Sequence, residues 1–466
     1  MIFGKSILSI FKLIKKKEVS GKEVGDYFLK RIEKYNSKIN AYLTVNDDYK
    51  TGRIYKSDKN RIKLPIAVKD NFCTKGIRTT ASSRVLQDFI PPYESTVTKR
   101  LIDAGFFILG KTNMDAWAHG SSTETSDFGA TKNPWNLSRS AGGSSGGSAA
   151  AVSSYLAPVA IGSETAGSIR QPSAWSGVIG LKPTYGRVSR YGLIAMGSSL
   201  DCPGPITLTT EDAAFILKII AGNDKFDATT VKNDVPDYNL SLKKKNKFVI
   251  GVTDEYLNGV NQEIQNSFDV LIKLLKKLGH KIKKIKLLSP KYSISVYTII
   301  QRAEVSSNLS RFDGIRYGND RTYFGSEAKR RIMLGTYVLS YGYYDAYYKK
   351  AQKVRTLIIE DFKKVFKEVD MILAPTTPVT ALKLGEFEKY PFFGEMMDVL
   401  NEPAAIAGLC AINFPFGLAK RDKLPIGLQL MGRWFEEENI LNLTYQIEKE
   451  TDFLGVIKKG ISNYPD

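Results

Sequence analysis

Residues 141–151 read AGGSSGGSAAA, and this stretch guides the interpretation of the chain on either side of it. Glycines permit unusual backbone angles and close backbone approach, while serine hydroxyls and the free amides of a helix N-terminus offer hydrogen bonds. Alanines and a valine follow at once, which predicts the start of a buried helix and not a flexible linker. Such a loop can also cradle a phosphate, but the lysine that a phosphate-binding P-loop places next is absent.

A second turn of small residues follows at 162–172, with the sequence GSETAGSIRQP. Consecutive backbone N–H groups in such a turn can form a nest that binds a negatively charged oxygen. Ser168 stands where this nest would end. The turn therefore predicts a nucleophile beside donors for an oxyanion.

Upstream, the segment LPIAVKD (residues 64–70) places Lys69 at the end of an apolar run. A lysine at the close of a buried strand usually extends its ammonium to water. A lysine kept inside the protein has its pKa lowered and can act as a base. The sequence leaves both interpretations of Lys69 open.

Histidine, the usual base for attack on an amide, is rare in this chain. The two histidines are His119 and His280. His280 opens a lysine-rich amphipathic segment, which favours a place at the surface. His119 lies among small residues and could approach a site, but no acid follows at a recognisable spacing, so a serine, histidine and aspartate triad is not predicted.

The segments 64–70, 141–151 and 162–172 together resemble the amidase signature family. The resemblance implies an α/β fold with a central mixed β-sheet covered by helices on both faces. It also implies that Ser168 is the nucleophile, that Lys69 is the base, and that Ser144 bridges the two and relays the proton between them. The oxyanion would be met by backbone N–H groups of the turn, which include those of Thr165, Ala166 and Gly167.

The turn departs from the family pattern at two positions. Glu164 stands where an aspartate is usual, and Ala166 where a glycine is usual. The N–H of Ala166 survives, but an alanine at positive φ would be strained. Because no reacting group is lost, we expect these changes to lower catalytic efficiency at most. They leave open the alternative that the chain is a scaffold subunit without activity.

Further segments, among them GLKPTYGRVSRYGLIA and SSNLSRFDGIRYG, resemble family members that release ammonia from glutamine for tRNA-dependent amidation. By this resemblance, glutamine would be held by Tyr297, Arg331 and Asp398. An arginine suits an α-carboxylate and an aspartate suits an α-ammonium. The alternative is a free-standing amidase for small amides, on which these charged groups would be wasted.

The same resemblance implies a heterotrimer. A larger subunit would bind tRNA and use ATP and Mg²⁺, and a small subunit would link the two. Ammonia would pass to the activated glutamate of Glu-tRNA(Gln). For this chain it implies no cofactor, and its potential metal ligands are scattered.

Alternating apolar runs and polar loops predict one large α/β unit. We expect a helical layer over residues 1–60 and a catalytic domain over 61–466, with a helical portion around 290–370. The lysine-rich segment near 273–286 is predicted to form a helix and then a strand. A last helix is expected from about Glu436.

Composition limits the remaining possibilities. The 466 residues are 43% hydrophobic and 25% charged, without an apolar stretch long enough for a membrane span. The formal charge of +19 admits nucleic-acid binding, but lysines alternate with leucine and isoleucine as on a solvated face. Three scattered cysteines, Cys73, Cys202 and Cys410, favour a reducing, cytoplasmic compartment.

Overall fold

A computed structural model describes residues 2–46, 48, 63–316, 318–387 and 393–466. The boundary predicted near residue 60 lies outside the described residues. No helix among the described residues combines the length and the apolar character needed to cross a bilayer.

Eleven strands of the described chain form one mixed sheet flanked by helices, which confirms the predicted α/β fold. The strands of the chain are β1 (Tyr42–Val45), β2 (Leu64–Lys69), β3 (Phe106–Thr112), β4 (Lys132–Asn133), β5 (Asn136–Ser140), β6 (Val159–Glu164), β7 (Ile179–Lys182), β8 (Cys202–Thr207), β9 (Val249–Val252), β10 (Lys281–Lys284), β11 (Met371–Pro375), β12 (Cys410–Leu418) and β13 (Pro425–Gly432). The sheet runs in the order β1-β3-β2-β6-β8-β7-β12-β13-β11-β9-β10, and β4 pairs with β5 outside it. β2 is parallel to β3 and β6, and β9 is parallel to β10 and β11.

The α-helices of the described chain are α1 (Ile7–Lys15), α2 (Gly21–Ile39), α3 (Thr96–Asp103), α4 (Gly146–Ser153), α5 (Arg170–Ser176), α6 (Thr210–Ile220), α7 (Tyr238–Leu242), α8 (Gln262–Lys277), α9 (Lys291–Leu309), α10 (Ser326–Leu339), α11 (Lys350–Val365), α12 (Phe393–Asp398), α13 (Glu402–Ile406), α14 (Glu437–Glu450) and α15 (Phe453–Ser462). The helix predicted from about Glu436 is α14, and α15 follows it. The segment predicted around 273–286 forms the end of α8 and then the edge strand β10.

The N-terminal segment contains two helices and, in addition, a strand that the sequence did not predict. The Ser20 hydroxyl accepts a hydrogen bond from the N–H of Glu23, and the Glu23 carboxylate accepts one from the N–H of Ser20, which caps α2. β1 then pairs antiparallel with β3 and closes one edge of the sheet. Gly110 makes this possible, because a Cβ there would lie 2.2 Å from the carbonyl oxygen of Thr44.

Within the described residues, the predicted helical portion is interrupted between α9 and α10 and again between α10 and α11. α10 ends at Leu339, and a π-helical turn at Tyr344–Lys349 leads into α11. Gly342 has a φ of +82°, which an L side chain rarely adopts, and it marks the break between the two helices.

The parallel strands β2 and β6 position the residues of the candidate active site. All residues of both strands are buried, as expected where helices cover a parallel sheet on both faces. Their register pairs Val68 with Ile161, so the carboxyl ends of the two strands meet at one edge. Ligands of open α/β sheets bind outside the carboxyl ends of strands, and Lys69 and the 165–168 turn both lie there.

Candidate active site

Lys69 ends β2 and lies entirely inside the protein, so its ammonium does not extend to water. Its Nζ donates to the hydroxyl of Ser144 at 2.8 Å and to the carbonyl of Ser163 at 3.0 Å. Burial lowers the pKa of Lys69 from 10.5 to about 7, although Asp115 and other buried acids act in the opposite direction. A large fraction of this lysine is therefore neutral near pH 7 and can accept a proton.

Ser144 lies in the loop that leads from β5 into α4. All eight residues of α4 are buried, which confirms the predicted start of a buried helix. The loop is held from two sides: the N–H of Gly143 donates to the side-chain carbonyl of Gln171 at 2.9 Å, and the N–H of Ser145 donates to the carbonyl of Ser168 at 3.1 Å. Ser144 thereby lies between Lys69 and the turn that carries Ser168.

The turn at 165–168 joins β6 to α5 and presents free donors. Within the described part of the chain, its four backbone N–H groups donate to no protein acceptor, and all four residues are buried. Buried N–H groups without partners are rare in proteins, and a row of them suits an oxyanion. Ala166 does not have a positive φ, so the predicted strain is absent.

Glu164 and Arg170 hold the two ends of this turn together. The carboxylate of Glu164 accepts hydrogen bonds from the N–H groups of Ile169 and Arg170, at 3.2 and 3.3 Å. The guanidinium of Arg170 forms a buried ion pair with the same carboxylate and donates to the carbonyl of Ala166 at 2.7 Å. Because the pair is buried, loss of either partner would leave an uncompensated charge under the turn.

Asp398, at the end of α12, reaches the same turn from the other side. Its Oδ1 occupies the space beside Gly167, since a Cβ on that glycine would lie 2.0 Å from this oxygen. Its Oδ2 accepts a hydrogen bond from the Ser121 hydroxyl at 2.7 Å. Burial raises the pKa of Asp398 to about 7, so a ligand ammonium nearby would favour the charged carboxylate.

Replacing Gly167 by alanine is expected to raise KM for glutamine, the substrate that the resemblance implies, and to lower kcat/KM by about 100-fold, because the new methyl group displaces Asp398. Gly197→Ala is a matched control, since a methyl there meets nothing closer than 3.5 Å. Steady-state kinetics of both variants would check this. An unchanged KM in Gly167→Ala would show that the carboxylate of Asp398 can move away without loss.

Tyr297 and Arg331 come from the helical portion. The Tyr297 hydroxyl lies 2.8 Å from the Thr165 hydroxyl, which brings α9 into contact with the turn. Burial raises the pKa of Tyr297, and the positive charge of Arg331 opposes that rise. Arg331 lies on α10, is 5% exposed, and donates through Nε to Glu327 at 2.6 Å.

The structure thus gathers the residues singled out in the sequence around one turn. Lys69 and Ser144 are in direct contact, Ser145 binds the Ser168 carbonyl, and Tyr297 and Asp398 contact the turn. Arg331 lies on α10, which packs against α9, the helix that carries Tyr297.

Sequence reasoning missed several supporting side chains. Gln171 and Ser121 are ordinary polar residues without a distinctive pattern, and a second buried lysine, Lys111, lies 3.9 Å from the carboxylate of Asp70. The assignment of His280 to the surface was wrong: it is buried, and its Nδ1 accepts a hydrogen bond from the N–H of Phe248 at 3.2 Å.

A mixed α/β sheet that carries a buried lysine, two serines and a nest of free amides defines a serine-dependent amide hydrolase that works without histidine. The chain belongs to the amidase signature family, whose sequence model, described as Amidase, matches residues 23–441.

Several relatives carry one name, which is that of the A subunit of glutamyl-tRNA(Gln) amidotransferase. The relative from Halothermothrix orenii is 48% identical over 466 aligned residues, which cover 96% of this chain and 97% of the relative. The relative from Geobacillus thermodenitrificans is 46% identical, with 97% and 98% covered. A crystal structure of the same subunit from Thermotoga maritima superposes with a TM-score of 0.83 at 40% identity, over 96% of this chain and 95% of the other.

Proposed function

We propose that this chain is the glutamine-hydrolysing subunit of an amidotransferase that converts Glu-tRNA(Gln) to Gln-tRNA(Gln). The observation that carries the proposal is the placement of Asp398 against the turn that bears Ser168. An amide hydrolase for uncharged substrates has no use for a buried carboxylate beside its nucleophile. The relatives that share the name of such a subunit support the same conclusion.

The reaction begins with the neutral amine of Lys69. It accepts a proton that passes from the Ser168 hydroxyl through that of Ser144, which Lys69 contacts at 2.8 Å. The Ser168 oxygen then bonds to the amide carbon of glutamine, and the carbonyl oxygen becomes negatively charged. The free N–H groups of the 165–168 turn receive this charge, and each such donor is worth about 3 kcal/mol in a hydrolase.

The tetrahedral intermediate breaks at the carbon–nitrogen bond. The departing nitrogen takes the proton back along the same route and leaves as ammonia, so Ser168 keeps a γ-glutamyl ester. Water then attacks this ester with Lys69 again as base, which releases glutamate and restores the serine. One glutamine and one water thus give one glutamate and one ammonia, and the chain returns to its starting state.

Recognition of glutamine is assigned to charged groups at both sides of the turn. Asp398 would bind the α-ammonium and Arg331 the α-carboxylate, and the Tyr297 hydroxyl, 2.8 Å from that of Thr165, would help to hold the substrate at the turn. A charge-assisted pair of this kind is about twice as strong as a neutral hydrogen bond. A substrate that lacks the α-ammonium leaves the buried carboxylate of Asp398 without a cation, and one that lacks the α-carboxylate loses its charge-assisted contact with Arg331.

The proposed assembly contains other subunits. A larger subunit would bind the tRNA and use ATP and Mg²⁺ to activate the glutamate, and a small subunit would link it to this chain in a heterotrimer. The assembly would work in the cytoplasm. This chain would need no cofactor of its own, because its share of the reaction is amide hydrolysis.

The discriminating experiment compares ammonia release from glutamine and from propionamide, by this chain co-purified with its other subunits. Glutamine should be strongly preferred, and Arg331→Met should raise KM for glutamine by about 10- to 100-fold while leaving propionamide unaffected. Arg330→Met is the matched control, because Arg330 pairs with the same glutamate but is 41% exposed. Equal or better turnover of propionamide would identify a free-standing amidase, and no turnover of either a scaffold.

A further inference from the structure

His119 is a buried histidine to which the proposed reaction assigns no task. It follows the short 3₁₀ turn at Ala116–Ala118 and is completely inaccessible to solvent. Among the residues that the structure describes, neither Nδ1 nor Nε2 of His119 finds a hydrogen-bond partner. A buried polar group without a partner costs about 1–3 kcal/mol, so an imidazole with two such atoms requires an explanation.

The surroundings of His119 are positively charged. Burial holds its pKa well below 6.5, and the charges of Arg331, Arg302 and Arg330 lower it further, while Glu327 acts in the opposite sense. The imidazole is therefore neutral at physiological pH, with one N–H donor and one acceptor nitrogen. A neutral N–H donor in surroundings where positive charge outweighs negative charge fits an anion and not a cation.

The chain that follows His119 also leads to Asp398, on the other side of the 165–168 turn. Two residues later, the Ser121 hydroxyl holds the carboxylate of Asp398, against which Gly167 packs. Just before His119, Trp117 and Ala118 pack in one buried cluster with Ala328 of α10, the helix that carries Arg331. The segment 117–121 thus runs from α10 to the carboxylate of Asp398. Arg331 and Asp398 are the two groups assigned above to the carboxylate and the ammonium of an α-amino acid.

We propose that His119 binds the substrate, its imidazole N–H donating a hydrogen bond to the α-carboxylate that Arg331 neutralises. This inference rests on the proposed function, because it assigns one end of glutamine to this residue. His119 sets specificity for an α-amino acid and takes no part in proton transfer. Its nitrogens have no protein partner because their partner is the substrate.

The first test separates KM from kcat. In the chain co-purified with its other subunits, His119→Leu should raise KM for glutamine by about 10- to 100-fold with little change in kcat. His119→Gln, which keeps an N–H donor, should recover most of the loss. His280→Leu is the matched control, since the other buried histidine lies beside β10, at the edge of the sheet.

The second test removes the carboxylate from the substrate. On 4-aminobutanamide, which is glutamine without its α-carboxylate, His119→Leu and wild type should have the same kcat/KM, although both should be slow. The ratio of the two substrates is internal to each preparation, so partial misfolding of a variant leaves it unchanged. An equal penalty on both substrates would overturn the inference and identify His119 as structural.

Binding without turnover gives the third measurement. In calorimetry with glutamine, the double variant Ser168→Ala with His119→Leu should have a higher Kd than the single variant Ser168→Ala. If wild type hydrolyses glutamine and His119→Leu changes neither KM nor Kd, the inference is wrong while the proposed function stands. If wild type releases no ammonia from glutamine, both are wrong.

Discussion

Replacing Lys69 by methionine is expected to lower kcat for glutamine hydrolysis by at least about 10³-fold, because the reaction loses the proton acceptor that contacts Ser144. In the wild-type protein, kcat/KM should rise with pH and level off above an inflection near pH 7, since Lys69 acts as a base only when neutral and its pKa is about 7. Ammonia release measured from pH 5.5 to 9 would check both. Activity of Lys69→Met within tenfold of wild type would exclude Lys69 as the base.

The same replacement is expected to make the folded chain more stable. Folding lowers the pKa of Lys69 from 10.5 to about 7, so between these values the unfolded chain binds a proton that the folded chain does not. Stability therefore rises with pH across this range, and the full penalty of about 5 kcal/mol applies below pH 7. Lost hydrogen bonds to Ser144 and Ser163 offset part of the gain.

Thermal unfolding at two pH values would test this stabilisation. Lys69→Met should melt above wild type at pH 6.5, and the difference should shrink at pH 9.5, where the unfolded lysine itself begins to lose its proton. Lys111→Met is the contrasting control: Lys111 is also buried, but its loss leaves the Asp70 carboxylate without its cation, so this variant should melt below wild type. A lower melting temperature for Lys69→Met at pH 6.5 would contradict the expected stabilisation.

Replacing Ser168 by alanine is expected to reduce glutamine hydrolysis by at least about 10⁴-fold, as in other hydrolases that lose their nucleophile. Glutamine should still bind, because Asp398 and Arg331 are unchanged. In the wild-type protein, hydroxylamine should capture the γ-glutamyl ester as γ-glutamyl hydroxamate. Ammonia and hydroxamate assays on the two proteins would measure the loss directly.

Ser173→Ala provides the matched control for this experiment. Ser173 is a buried serine on α5 whose hydroxyl has no hydrogen-bond partner among the described residues, so its removal should leave the rate near wild type. Continued hydroxamate formation by Ser168→Ala would show that another group is the nucleophile. Ser144 would then be the next candidate, because Lys69 contacts it directly.

The sequence predicted the loops of the site better than their surroundings. Lys69, Ser144 and Ser168 lie in distinctive local patterns. Clusters of glycine and serine indicate tight turns, and a lysine after an apolar run indicates the end of a buried strand. The contact of Ser121 with Asp398 joins positions 277 residues apart, and no local pattern announces such a pair. It exists because β-sheet topology brings distant loops to one edge.

The errors have physical causes of the same kind. Lysine alternation at β10 correctly predicted an exposed strand but wrongly included His280, which turns inward to pair with the N–H of Phe248. Strain was expected at Ala166 because glycine is usual there, but the turn forms without a positive φ. β1 is only four residues long, too short for its alternation to be distinguished from that of a helix end.

The lysines of β10 also affect how this protein behaves at high protein concentration. Among the described strands β10 is the last of the sheet and pairs with β9, and Lys281, Lys283 and Lys284 on it are exposed. An open strand edge is a template for pairing with another chain, and lysines on such an edge oppose it because two copies bring like charges together. Concentrated preparations should therefore stay dispersed at low ionic strength, and raising the salt concentration should weaken this protection before it affects the interior of the sheet.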